Sequence, residues 1–175
     1  MTPVQRSKRL EEYCGSSGDI EVSNAIAPGI ELSAGPLKIE CELTLMNTNL
    51  TADLDEYHFP LLGPWVQSVP ELTAETRSTP VVFQYARAER TSMEIEVPDL
   101  FNDLTIPPPV RLTTPFGRYA LDVNPTVGGL HVERFFSLDA VIISADQYTS
   151  LRSYLTGVQR ADQTMLAFRR SGGAP

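Results

Sequence analysis

A chain of 175 residues, 42% hydrophobic and 21% charged, is long enough to build one domain with its own core, or one domain with appendages. It carries 14 Lys and Arg against 22 Asp and Glu, and the net charge of −8 argues against nonspecific binding to nucleic acid or anionic lipid, because phosphate binding needs a basic surface. No stretch approaches the ~18 consecutive apolar residues of a membrane span, so no membrane span is expected.

The N-terminal MTPVQRSKRLEEY has no apolar run after its charges and is not read as a signal peptide. On the literal sequence the chain is cytoplasmic. If it is excised from a larger exported chain, its place is periplasmic or extracellular. Residues 3–13 suggest a short helix with Val4, Leu10 and Tyr13 as apolar marks, and CGSSGD breaks it. Residues 1–18 therefore read as a tail or linker, 19–169 as a β-sandwich domain and 170–175 as a disordered tail.

Period-two patterning begins at Asp19. Ile20, Val22 and Ile26 mark a first strand. In LKIECELTL, residues Leu37, Ile39, Cys41, Leu43 and Leu45 face one way and Lys38, Glu40, Glu42 and Thr44 the other, the pattern of a strand with one dry and one wet face. TADLDEYHF begins the return. PLLGPWVQSVPEL has three prolines and cannot be a central strand; it reads as a loop carrying Trp65, the chain's one tryptophan. TPVVFQYARAERTSMEIEVPD reads as a hairpin, with Val81, Phe83 and Tyr85 on one arm, Met93, Ile95 and Val97 on the other, and ARAER as the turn.

Pro107 to Pro109 make a stiff extended connector. Tyr119, Leu121 and Val123 then alternate, PTVGG turns, and LHVERFFSLDAVI forms a long strand. Arg134 falls on the same side of it as Leu130, Val132, Phe136 and Leu138. An arginine there is expected at an edge or with its head extended to solvent; a buried ion pair is the lesser alternative. Near the end, Ser144 and Gln147 have capping-box spacing. Tyr148, Leu151, Tyr154, Leu155, Val158 and Ala161 share one helical arc, and Asp162 would intrude on it, so the helix should stop near Ala161. QTMLAF returns to strand. Roughly seven to nine short strands at this spacing predict an all-β, antiparallel β-sandwich, Ig-like or jelly-roll-like, with one C-terminal amphipathic helix. The helix face should plug an open end or cover a sheet edge.

No stretch carries a catalytic signature. There is no phosphate-cradling glycine motif and no GxSxG elbow, and Cys14 and Cys41 lack metal spacing, so no cofactor and no metal are expected. Cys41 reads as a buried small hydrophobe, and spacing leaves a Cys14–Cys41 disulfide open. Asp53, Asp55, Glu56 and His58 read as strand-edge charges, with a divalent site or carboxylate hydrolase as the sharper alternative. His131 and Glu133, on one side of a strand, read as a surface pair rather than an acid–base pair. Tyr57, Phe59 and Trp65 are the candidate ligand-binding residues: they suit an aromatic platform for sugar or peptide, or else a plug over the core's end.

The order of weaker signals adds a resemblance. Arg77 and Pro80 precede a paired stretch; VPDL with Pro98, a proline-rich step, PFGRYALDV with Gly117 and Tyr119, GGLHVERFFSL with Arg134, and the segment Tyr148 to Leu166 follow. Over Asp19 to Phe168 this resembles the C-terminal β-domain of bacterial transglutaminase-like proteins, a domain of unknown function flanking a papain-like core. The resemblance implies a non-enzymatic accessory or interaction domain, partnered in cis or in trans with that core or its protein substrate. The core's Cys–His–Asp set is separate from this chain. The alternative is a stand-alone carbohydrate- or peptide-binding module using the Trp65 loop.

Overall fold

A computed structural model describes residues 3–15, 20–28, 37–45, 56–62, 66, 69–97 and 101–170. The chain divides into two compact units, Met1–Asp53 and Leu54–Pro175. Among the described residues, strands in antiparallel sheets dominate, no sheet closes into a barrel, and one helix lies near the C-terminal end, so the fold is all-β and sandwich-like.

In the first unit, α1 (Pro3–Tyr13) packs on β1 (Ile20–Ile26), which pairs with β2 (Glu40–Leu45). The expected alternation holds through β2: Cys41 and Leu43 are half-buried, while Glu40, Glu42 and Thr44 are exposed. The register slips between Ser23 and Ile26, where Asn24 has a φ of 51°. Asparagine tolerates this left-handed conformation, and its side-chain amide donates to Glu42 at 2.6 Å.

The second unit has a four-stranded sheet and a three-stranded sheet. The first runs in the order β5 (Arg87–Glu96), β9 (Gly129–Leu138), β8 (Gly117–Thr126), β7 (Val110–Thr114). The second runs β3 (Glu56–Pro60), β11 (Met165–Arg170), β6 (Phe101–Thr105), and β4 (Val81–Val82) pairs with β10 (Ile142–Ile143) as a short ribbon. Two expected pairings fail. β3 does not return along β2 but pairs with β11. The hairpin with ARAER as its turn does not exist: Arg87 to Arg90 of that stretch lie inside β5, which runs straight along β9 from Arg87 opposite Leu138 to Glu96 opposite Gly129. The charges in that stretch are used inside the sheet. Arg87 lies over the Phe136 ring at 5.2 Å, and Glu89 reaches Arg134.

The helix α2 (Tyr148–Asp162) buries Tyr148, Leu151, Tyr154, Leu155, Val158 and Ala161, the arc its periodicity predicts. Its start differs from the expected capping box. A 3-10 turn, Ala145–Gln147, precedes it, and Ser144 Oγ donates to the Gln147 side-chain oxygen at 3.1 Å rather than capping the backbone. The buried tyrosine hydroxyls are satisfied, as burial requires: Tyr154 donates to the Ser137 carbonyl and Tyr148 to the Ala74 carbonyl, both at 2.7 Å. Two glycines permit close approach. A Cβ on Gly117 would overlap the Ser137 carbonyl, and one on Gly157 would press on Leu112 of β7.

α2 runs one residue past the expected stop, and the reason corrects the expectation for Arg134. That side chain is fully buried, not edge-exposed. Its Nε and Nη2 each donate at 2.8 Å to the two oxygens of Asp162. The Tyr119 hydroxyl donates to the same carboxylate at 2.8 Å, and Glu89 accepts from Nη1 at 3.4 Å. The guanidinium also lies 5.6 Å from the ring centres of both Tyr119 and Phe136. Burial opposes the Arg134 charge, but the Asp162 carboxylate outweighs it and holds the guanidinium above its ordinary pKa. Burial, then the Asp162 charge, pushes the Tyr119 phenol well up, which keeps it a proton donor.

Breaking one side of such a pair strands a buried charge, at a cost of about 3–5 kcal/mol. Asp162→Asn or Arg134→Met should each lower unfolding free energy by about that much in urea titrations. The double change Arg134→Met with Asp162→Leu should recover more than half of the loss. Additive losses in the double variant would show that the two side chains do not act as a pair.

Candidate functional site

The β4–β10 ribbon is two residues long on each strand and antiparallel, so its two cross-strand pairs point to opposite faces. Val81 and Ile143 form the inner pair, 5% and 1% exposed. Val82 and Ile142 form the outer pair, 67% and 70% exposed. The ribbon is extended by the Phe83 N–H, which donates to the Val141 carbonyl at 2.8 Å, and Tyr85, just beyond, is also exposed. Two large aliphatic side chains thus stand side by side in water on the outer face of the ribbon.

The wet face of the four-stranded sheet carries the densest group of titratable side chains among the described residues outside the Arg134 cluster. Glu94 lies opposite His131, and Glu133 follows two residues on. His131 Nδ1 is 2.6 Å from Glu94 Oε1, and Nε2 is 3.2 Å from Glu133 Oε1. The hydrogen bond to Glu94 is the leading cause that raises the His131 pKa, with Glu133 adding to it. The two carboxylates meet opposite nitrogens of the ring and do not converge on one point. Among the described residues no three His, Cys, Asp or Glu side chains are placed to share a metal ion. Arg111 and Asp122 form a further ion pair on neighbouring strands, at 2.5 Å. These contacts pair Glu94, His131, Glu133, Arg111 and Asp122 among themselves.

A cavity of about 330 Å3 lies between α2 and the segment from Pro70 to Thr73, lined by Leu72, Arg152, Leu155 and Gln159 among others. Arg152 Nε donates across it to the Leu72 carbonyl at 3.1 Å, which ties the segment to the helix.

The residues singled out from the sequence are only partly brought together. Tyr57 and Phe59 occupy register positions on β3 opposite Phe168 and Leu166; their side chains, and the whole of Trp65, lie outside the described residues. Asp53 and Asp55 also lie outside them, while His58 is on β3 and exposed. His131 and Glu133 form the expected surface group, and Glu94 completes it. Glu94 went unseen because the false hairpin kept β5 away from β9. Val82 and Ile142 went unseen because isolated pairs of apolar residues carry no periodic signal.

A family model, described as a domain of unknown function with solved-structure structure (DUF3858), matches residues 56–168. The chain belongs to this family. The DUF3858 span lies wholly within the second unit and holds the four-stranded sheet, α2 and the Arg134–Asp162 pair. A crystal structure from Parabacteroides distasonis, described as a "putative protease", is similar over 59% of this chain and 23% of that one, at 17% identity and a TM-score of 0.49. The chain thus spans under a quarter of that protein's length. No curated protein matches the chain. No helix among the described residues is long and apolar enough to cross a membrane.

The His131 group sets a pH dependence. Its pKa is raised in the folded state, so its contribution to stability is complete below the ordinary histidine value of about 6.5 and fades as pH rises through the folded value. Proton NMR titration should place the His131 midpoint above that of His in the unfolded chain. Glu94→Gln should bring it down; an unchanged midpoint would mean that the Glu94 contact does not form in solution.

Proposed function

We propose that this DUF3858 domain is a non-enzymatic accessory module for a transglutaminase-like, papain-like core, in the same polypeptide or a separate one, and that it acts through protein–protein contact. The observation that carries the reading is the outward pair Val82 and Ile142 on the β4–β10 ribbon. Aliphatic side chains in water gain by being covered with another apolar surface. A sugar would ask instead for hydrogen-bonding groups and an aromatic face, so the pair fits a protein partner better than a carbohydrate.

The class of partner comes from the order of motifs, which resembles the β-domain that flanks a transglutaminase-like core. Covalent chemistry in that reading belongs to the partner: a thiol nucleophile with a histidine base held by a carboxylate. The buried charge of this domain, Arg134, is spent on Asp162. The bound surface is either the core itself or the peptide substrate the core acts on.

A photo-reactive residue placed at position 142 of the native gene product, activated in source cells, should yield adducts containing peptides of a Cys–His–Asp core or of one of its substrates. The same group at Arg160, exposed on α2, should yield few. Val82→Asp with Ile142→Asp should reduce capture roughly tenfold or more, since loss of a buried apolar anchor costs at least about 1.4 kcal/mol. The thermal midpoint should barely change, because both side chains already face water. Equal adduct yields from positions 142 and 160, or capture unaffected by the two aspartates, would overturn the reading.

A further inference from the structure

A sheet edge is an open row of main-chain donors and acceptors, and three of the four edges of the second unit's larger sheets are guarded. β7 is five residues long, follows Pro107 to Pro109 and packs against α2. β3 and β6, the outer strands of the three-stranded sheet, are equally short, and β3 ends in Pro60. β5 is different. It has ten residues, no proline and no glycine, and its register with β9 is unbroken from Arg87 to Glu96. Among the described residues no strand pairs with its far side. The phase of the ladder tells which residues face that open side. The Val97 N–H donates to the Gly128 carbonyl at 3.0 Å, in register with the pairs before it. Bonded positions in an antiparallel ladder recur at every second residue. Ile95, Met93, Thr91 and Glu89 therefore turn their N–H and C=O groups to β9, while Ala88, Arg90, Ser92, Glu94 and Glu96 turn theirs outward. The side chains of this second set are exposed on the wet face.

Charge then selects a partner and a register. Directly opposite residues share a face of the sheet, so a second β5 laid antiparallel must set even positions against even ones. With the two-fold axis through Ser92, Arg90 of each copy lies opposite Glu94 of the other, and Ala88 lies opposite Glu96. On the inner face Thr91 meets Met93 and Glu89 meets Ile95, beside the core against which Met93 and Ile95 are already half-buried. An axis through Arg90 or Glu94 sets like charges face to face. An axis through Met93 sets Ala88 against Pro98, which has no N–H to give. An axis through Thr91 pairs no opposite charges on the wet face. The strand is thus complementary to itself along its whole length in one register.

We propose that β5 is a self-association edge, along which two copies of this chain join antiparallel with the two-fold axis at Ser92. The two four-stranded sheets become one continuous sheet. Arg90, Ser92 and Glu94 exchange main-chain hydrogen bonds with Glu94, Ser92 and Arg90 of the second copy, and two Arg90–Glu94 pairs fix the register. Glu94 keeps its Oε1 contact with His131 and offers Oε2 across the axis. The contact is isologous and closes at two copies, because the sheet's other edge, β7, is guarded. A single strand pair is a small interface, so the dimer forms and dissolves with concentration.

The test is sedimentation velocity on the full chain, kept reduced, from about 1 to about 500 µM. The expected result is a reversible passage from monomer to dimer. Arg90→Glu and Glu94→Arg should each weaken the dimer about tenfold or more, since each turns two attractions into two repulsions, and the two changes together should return it to within about threefold. Ser92→Pro removes an outward N–H and leaves the ladder with β9 whole, so it should abolish the dimer with the far-UV circular dichroism unchanged. Ser92→Cys, oxidised at dimer concentrations, should give a tryptic peptide joined to its own copy through position 92. Ala88→Cys, about 27 Å from its copy across the axis, should not. A monomer throughout the range, a dimer that survives Ser92→Pro, or position 88 joining as readily as position 92 would each overturn the proposal.

Discussion

A mostly covered carboxylate at the end of a helix and a fully buried guanidinium in the middle of a strand decide how the second unit is assembled. Asp162 sits at the negative end of the α2 dipole, where a carboxylate is unfavourable. Arg134 sits on the inner face of β9 among Leu130, Val132 and Phe136, where a cation is unfavourable. Neither position is tolerable alone. Two parallel hydrogen bonds at 2.8 Å make each the solution to the other. A third bond, from Tyr119 on β8, ties the neighbouring strand to the same carboxylate. Apolar packing tolerates a helix that slides or rotates by part of a turn; a bidentate ion pair does not. The pair therefore fixes the register of α2 on the sheet, and with it the start of β11 just beyond, where Leu61 N–H donates to the Thr164 carbonyl at 3.0 Å and β3 joins the edge.

This also explains which parts of the fold were legible in the sequence. The α2 arc, the alternation along β2 and β8, and the turn before β9 were readable, because each is a periodic signal contained in one element. The end of α2 was not. Reading Asp162 as an intruder into the apolar arc was correct locally and wrong globally, since its partner lies 28 residues away on another element. The same applies to Arg134, whose burial makes no sense until Asp162 is placed beside it. Two anomalies that each looked like a boundary or an edge were halves of one interaction.

The failure over residues 80–97 has a different physical origin. ARAER looks like a turn because three of its five residues are charged, and charge density is a good marker of loops. Within β5 those charges have specific uses: Arg87 covers an aromatic face and Glu89 reaches the buried guanidinium. Long arginine and glutamate side chains can line a half-buried strand because their stems pack while their heads find partners. The short strand β4, freed from the false hairpin, pairs with β10 instead, and that choice creates the outward Val82–Ile142 pair. The candidate interaction surface was thus hidden by the same misreading that hid the pairing of β5 with β9.

The two units solve the problem of holding a β structure together by different means. The second has a continuous core running from Leu61 to Phe168 with a buried charge lock inside it. Apolar burial of that extent supplies most of the favourable free energy, and the lock supplies a unique register. The first unit shows two buried side chains among its described residues, Cys14 and Ala25. There the β1–β2 ladder, α1 packed on β1 and the Asn24–Glu42 hydrogen bond at the bulge hold the hairpin.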